Sequence, residues 1–218
     1  MSIDGNERLQ KIADFVRPRL QEIYARRPDR AELDRQLAHA EYRWQHTLRV
    51  AGYGRQIAAA EGADLELTVA GCLLHDVAWF DEMADSRDHG RAGAEIARPF
   101  LTELGYTPAQ AENICHSVAT HVDIENPDTL EARITSDADN IERFGAYRIL
   151  QWCLPDVGDY TALANKLGNR LPRLKRYQEK VPLFTETAKG LFAGQLELQI
   201  LFFEKMVQEY QGCALPRL

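Results

Sequence analysis

Residues 67–76 read LTVAGCLLHD, an apolar run that closes on two adjacent polar side chains, His75 and Asp76. Asp64, three residues ahead of the run, is suited to cap a helix N-terminus, so the segment reads as a short buried helix. Such a helix has no structural need to end in an imidazole and a carboxylate. Taken locally, the pair is either a histidine near a helix dipole followed by a solvated aspartate, or two metal-competent ligands. The remainder of the chain decides between them.

Helical periodicity extends in both directions. Leu9, Ile12, Phe15, Val16 and Leu20 recur at three- and four-residue steps, with Pro18 expected to kink or end that segment. A second helical stretch covers 31–60, with a break expected near Ala40; its later part carries Trp44, Leu48 and Ala51 at helical spacing, and Ile57 beyond them. A further helix follows Gly90 and runs to Leu104. Gly105 reads as its stop, and Thr107-Pro108 as the cap and first position of the next. Asn126-Pro127-Asp128 opens a long segment through Cys153, closed by Pro155, and two more helices fit 160–210. Sustained period-two alternation is lacking, so no sheet is predicted. The reading is all-α: one compact helical domain over 1–218, with the connection 80–88 as a candidate site loop.

Composition narrows the function classes. Of 218 residues, 45% are hydrophobic and 27% charged, the balance of an ordinary soluble globular chain. A net charge of −7 argues against a nucleic-acid duplex as partner. No apolar run approaches the roughly 18 residues of a membrane span. The start, MSIDGNERLQKIADF, has neither the basic nor the apolar region of a secretory signal, so a cytoplasmic chain is expected. Cys72, Cys115, Cys153 and Cys213 form no CxxC pair and read as small buried apolar residues. Lys166, Arg170, Arg173, Lys175, Arg176 and Lys180 form a basic stretch, read as a solvated helix face with steering of an anionic substrate as the alternative.

The chemistry lies in histidines accompanied by carboxylates. His46 sits in WQHTLRV, His89 in DHGRAGAEIA, His121 in CHSVATHVD, and Asp137 and Asp139 in SDADNIERFGA. Neutral imidazoles with carboxylates suit zinc, iron or manganese, and helical domains draw such ligands from several helices. Two residues apart on a helix means about 200° of rotation, so Asp137 and Asp139 cannot both reach one ion. His116, five residues before His121, is off its face and reads as structural; His39 reads as a surface histidine. Arg49 follows His46 by one helical turn, as a clamp for a phosphate oxygen or as a solvated helix arginine.

The order H … HD … D resembles the HD superfamily of metal-dependent phosphohydrolases. HTLRV is similar to its H-x-x-R-V block, LLHDVA to its HD helix, HGRAGAEIA to its H-G block, and DTLEARITSDADNIERFGA to the segment with the final aspartate. The likeness covers an HD-motif core at 44–145, leaving 156–218 as a C-terminal helical extension. It implies that His46, His75, Asp76 and Asp139 ligate a divalent transition ion such as Mn, Fe, Zn, Ni or Co. Asp139 is preferred to Asp137 because the family places its ligand after a small residue, as in Ala138-Asp139-Asn140; Asp137 then lies behind the ligands or at the surface. His89 and His121 would add a second ion, as in the branch resembling bacterial symmetrical diadenosine-tetraphosphate hydrolases, or would bind phosphate or move a proton. Asp76 and His121 are the implied catalytic groups and Arg49 the substrate contact. Two departures bear on substrate: Asn140-Ile141-Glu142 replaces the remainder of a frequent DADRLD, and Gly93 stands where many relatives have serine. With no Walker A loop, GxGxxG or GxSxG, phosphates would be held by metal and basic side chains. The implied activity is hydrolysis of a phosphoester or phosphoanhydride in a small nucleotide by metal-activated water. A di-iron oxygenase and a non-catalytic nucleotide-binding HD module are the alternatives.

Overall fold

The structure is a computed structural model that describes residues 4–25, 30–79, 88–122, 127–153, 158–179 and 183–212. Among the described residues there are nine α-helices and no strand, in keeping with the all-α expectation. The chain divides into two compact units, Met1–Asp139 and Asn140–Leu218.

The first unit contains α1 (Gly5–Ala25), α2 (Arg30–Glu61), α3 (Leu65–Leu74), α4 (His89–Glu103), α5 (Pro108–Thr120) and most of α6 (Leu130–Glu142). Its hub is α3, the helix of the apolar run, which packs against α1, α2 and α5. Every residue from 67 to 74 is buried, as expected of a helix that is apolar on all sides. Asp64 caps it by accepting the Leu67 amide at 3.0 Å. Each buried leucine contributes roughly 2 kcal/mol of transfer free energy, so the helix is firmly seated where it meets His75.

Around this hub, α1 buries Ile12, Val16 and Leu20, and Pro18 lies inside the helix instead of ending it. Arg8 clasps α1 to α3 by donating from Nε and Nη2 to the two Glu66 oxygens at 2.7 and 2.8 Å. The break expected near Ala40 does not occur, and α2 runs unbroken. The run AELDRQLAHAE is dense in strong helix formers and has no glycine or proline to interrupt it. Leu48, expected on the apolar stripe, is 40% exposed, because His46, Thr47 and Val50 take the buried face. Gly105 ends the turn after α4 at φ +79°. Thr107 and Gln110 then form a reciprocal capping box that starts α5.

The long helix expected up to Cys153 is in fact two. Tight turns bond the Phe144 amide to Ile141 O at 2.9 Å and the Gly145 amide to Glu142 O at 3.1 Å. After them α7 (Ala146–Cys153) begins. Gly145 disfavours helix continuation, and the turn buries the Phe144 ring. Within the second unit α8 (Tyr160–Glu179) packs along α9 (Glu186–Gly212), with Phe144 edge-on to Phe192 at 4.7 Å and to Tyr177 at 5.3 Å. Parts of the basic stretch are spent inside this unit: Lys175 pairs with Glu204 at 2.6 Å, and Arg170 donates to Gln199 at 3.3 Å. Among the described residues no helix is long and apolar enough to cross a membrane. Residues 80–87 of the candidate site loop 80–88, Asn126, Pro155, Lys180, Cys213 and the side chain of His39 lie outside the described residues.

Candidate metal centre

Helix ends deliver half of the candidate ligands. His75 is the C-cap of α3, His121 is the C-cap of α5, and His89 is the first residue of α4. Asp76 follows in a turn closed by the Val77 amide on Leu74 O at 3.0 Å and the Trp79 amide on Asp76 O at 2.9 Å. His46 and Asp139 come from within α2 and α6. All six side chains are buried, and all belong to the first unit. The C-terminal ends of α3 and α5 carry partial negative charge, which favours a cation beside His75 and His121.

Two facing imidazole pairs flank one carboxylate. His46 Nε2 and His75 Nε2 are 3.2 Å apart, and Asp76 Oδ2 lies 3.6 and 3.2 Å from them. On the other side His89 Nε2 and His121 Nε2 are 3.1 Å apart, with Asp76 Oδ1 at 3.3 and 3.8 Å. Within each triad the ligand atoms all lie within 4.8 Å of one another. Asp139 Oδ1 joins the first group, 3.3 Å from His46 Nε2 and 4.0 Å from His75 Nε2.

This donor set fits a divalent transition ion. His75 Nδ1 sits 2.7 Å from Cys72 O, and His121 Nδ1 sits 2.7 Å from Val118 O. A carbonyl only accepts, so each Nδ1 carries the proton, and in the neutral ring Nε2 is left as a bare lone pair. Each of these lone pairs is aimed at a second imidazole and at a carboxylate oxygen, a donor set that suits a cation among them. Ligands about 2.1 Å from one ion stand roughly 3.0–3.4 Å apart, close to the separations seen here. Burial pushes the Asp76 carboxyl up, but the Arg43 guanidinium, donating to Oδ2 at 2.6 Å, helps to hold it below the usual carboxylate range. Asp76 is therefore ionised, as a ligand must be.

The other candidates are not members of the two triads. Asp137 is fully buried in α6, so it is not a surface residue. His116 accepts the Asp128 amide at 3.1 Å just ahead of α6, a structural contact. Arg49 is half-buried, its guanidinium 5.9 Å from the Tyr42 ring centroid. Cys72 and Cys115 are buried thiols, as the sequence suggests; burial pushes them up to about 12 and about 11. Two residues at the centre escaped the sequence reading. Arg43 Nη1 donates to Asp76 Oδ2 at 2.6 Å, and its guanidinium lies 4.3 Å over the Trp79 ring. The available signal was spacing: Arg43 is three residues before His46, and Trp79 three after Asp76.

A helical unit whose helix ends gather imidazoles around an ionised carboxylate defines a class of metal-competent helical domain. The HD domain family matches residues 43–143, a little under half of the chain, and this segment is similar to an HD domain. Over 106 residues the chain is 36% identical to ribonuclease Y of Chloroflexus aurantiacus, a match covering 48% of this chain and 19% of that protein. The chain spans less than a third of the length of the curated relatives it matches. Among solved structures, a protein described as a predicted HD superfamily hydrolase from an uncultured Thermotogales bacterium is similar at TM-score 0.64 and 22% identity, with 92% of each chain covered. Bacillus subtilis YpgQ in complex with ADP is similar at TM-score 0.59 and 21% identity, covering 93% of this chain and 96% of that one. At these identities the likeness to the solved structures is one of fold.

Proposed function

We propose that this chain is a metal-dependent phosphohydrolase that cleaves a phosphoester or phosphoanhydride bond of a small nucleotide. One observation carries the reading: a buried carboxylate, Asp76, turns one oxygen to each of two facing imidazole pairs. In it His46, His75, Asp76 and Asp139 would hold one divalent ion, and a second, if bound, would be held by Asp76, His89 and His121. A divalent ion bound there supplies a more acidic water and a Lewis acid for a phosphoryl oxygen. The chain's own part is orientation. The Cys72 and Val118 carbonyls keep the His75 and His121 lone pairs aimed inward, and burial excludes bulk water. With a single ion, His121 Nε2, 3.8 Å from Asp76 Oδ1, is the position from which a proton of the attacking water is accepted. Arg49 takes a phosphate oxygen of the substrate. ADP bound to YpgQ, a protein of the same fold, supports a nucleotide as the ligand.

The test is product release from mono-, di- and triphosphates, dinucleoside polyphosphates and a short RNA, with Mn²⁺, Fe²⁺ or Mg²⁺. Metal-dependent turnover of a small nucleotide is expected. Arg49→Ala should keep its metal and lose roughly tenfold to hundredfold in kcat/KM, as for a charge-assisted contact of about 1.5–3 kcal/mol. Turnover of RNA alone would transfer the substrate to the class named for ribonuclease Y. Oxygen uptake by the iron-loaded protein without any phosphate release would overturn the phosphohydrolase reading.

A further inference from the structure

Arg43 places a guanidinium against the one carboxylate that both imidazole pairs share. Its Nη1 is 2.6 Å from Asp76 Oδ2, and its side chain is only 16% exposed. A carboxylate has about four lone-pair directions, so Oδ2 can accept from Arg43 and still present a lone pair to His46 and His75. Without such a bond the carboxylate loses its 2.6 Å contact and turns more easily about its Cβ–Cγ bond, so its oxygens point less firmly one to each pair. Arg43 is itself held from behind. Its guanidinium stacks 4.3 Å over Trp79, and the same indole stands edge-on to His89 at 4.5 Å and 84°. One ring thus touches the arginine that serves Oδ2 and a histidine that faces Oδ1.

We propose that Arg43 is a positioning residue that sets the rotation of the Asp76 carboxylate, and that Trp79 is the brace that keeps Arg43 in place. Local structure presents both. Arg43 precedes His46 by three residues on α2, so the two lie on one helix face. Trp79 closes the turn that begins at Asp76, through its amide on Asp76 O at 2.9 Å. The planar guanidinium matters, because it stacks flat on an indole while directing an N–H at the oxygen; an ammonium keeps the charge but loses the fork and the plane. A purely electrostatic role makes the opposite demand. A guanidinium near a divalent ion repels it, so deleting a mere counter-charge would tighten metal binding.

The inference rests on the reading that Asp76 holds divalent ions, and calorimetric titration of the metal-stripped protein with Mn²⁺ separates the two. The parent should bind Mn²⁺. Arg43→Gln should bind it roughly tenfold to hundredfold more weakly, the usual effect of losing a partner that orients a ligand. Arg43→Lys should not restore the affinity. Trp79→Leu should weaken binding in the same direction, and the double variant should be no weaker than Arg43→Gln alone, since both changes break one device. Arg43→Gln or Arg43→Lys binding Mn²⁺ as tightly as the parent, or tighter, overturns the positioning role. Trp79→Leu binding like the parent removes Trp79 from it. If Arg43→Gln does not fold, Arg43→Lys and Trp79→Leu decide the matter on the same criteria. A parent that binds no divalent ion brings down the site reading together with this one.

Discussion

Alanine at position 90 would put a methyl group where α4 crosses the end of α5. A Cβ built on Gly90 stands 2.7 Å from Ala119 O and 2.9 Å from Val118 O, where ordinary contact begins at 3.4 Å. Both obstacles are backbone atoms, so no side chain can swing aside, and α4 must retreat by roughly 0.7 Å. Overpacking of this kind costs about 1–3 kcal/mol. Alanine regains at most about 1 kcal/mol from helix propensity, and less in the first turn, so the loss wins. A net cost of about 1–2 kcal/mol lowers Tm by roughly 2–8 °C for a chain of this size. The same movement reaches the metal centre, because His89 adjoins Gly90 and Val118 O is also the acceptor that orients His121 at 2.7 Å. The His89–His121 pair should open, and Mn²⁺ binding that depends on His89 and His121 should weaken by at least about tenfold. Melting in chelator isolates the packing term from metal linkage, and Mn²⁺ titration then reads the site. A Gly90→Ala protein that melts at or above the parent's temperature and binds Mn²⁺ as the parent does would refute the reasoning.

Three further outcomes follow from the geometry. Asp76→Asn keeps the shape but removes the charge shared by both triads, so metal analysis should find both ions lost, whereas His46→Ala should deplete mainly the first. The Arg8 hydrogen bonds hold the Glu66 carboxyl below its ordinary value of 4.5, against the opposing effect of burial. A depressed folded-state pKa gives stability that is present above the unfolded value and lost as pH falls through the folded one. Arg8→Leu should therefore cost about 1–2 kcal/mol near pH 7, and the gap in urea midpoints should narrow as the pH falls below the carboxyl's ordinary value of 4.5. Finally, burial pushes the thiols of Cys72 and Cys115 up to about 12 and about 11, so Ellman's reagent at pH 8 should label neither until the protein is unfolded. Rapid labelling of either in the native protein would contradict its burial.

What the sequence determined by itself is whatever neighbours within about one helical turn decide. The all-round apolarity of residues 67–74 required a buried helix, and Asp64, Gly105 and the Thr107–Gln110 pair marked starts and stops through local hydrogen bonds and backbone preference. The recurrence of histidine and aspartate in the order H … HD … D pointed to a metal-competent core. Tertiary packing decided the rest. Leu48 and His46 are both compatible with the buried side of α2 on periodicity, and only the position of α3 puts His46 inward. The histidines pair across 29 and 32 residues of chain, and Arg43 reaches Asp76 across 33. No local propensity acts over such distances. Which nitrogen faces which oxygen is set by where helix ends meet, and that depends on the packing of whole helices against α3.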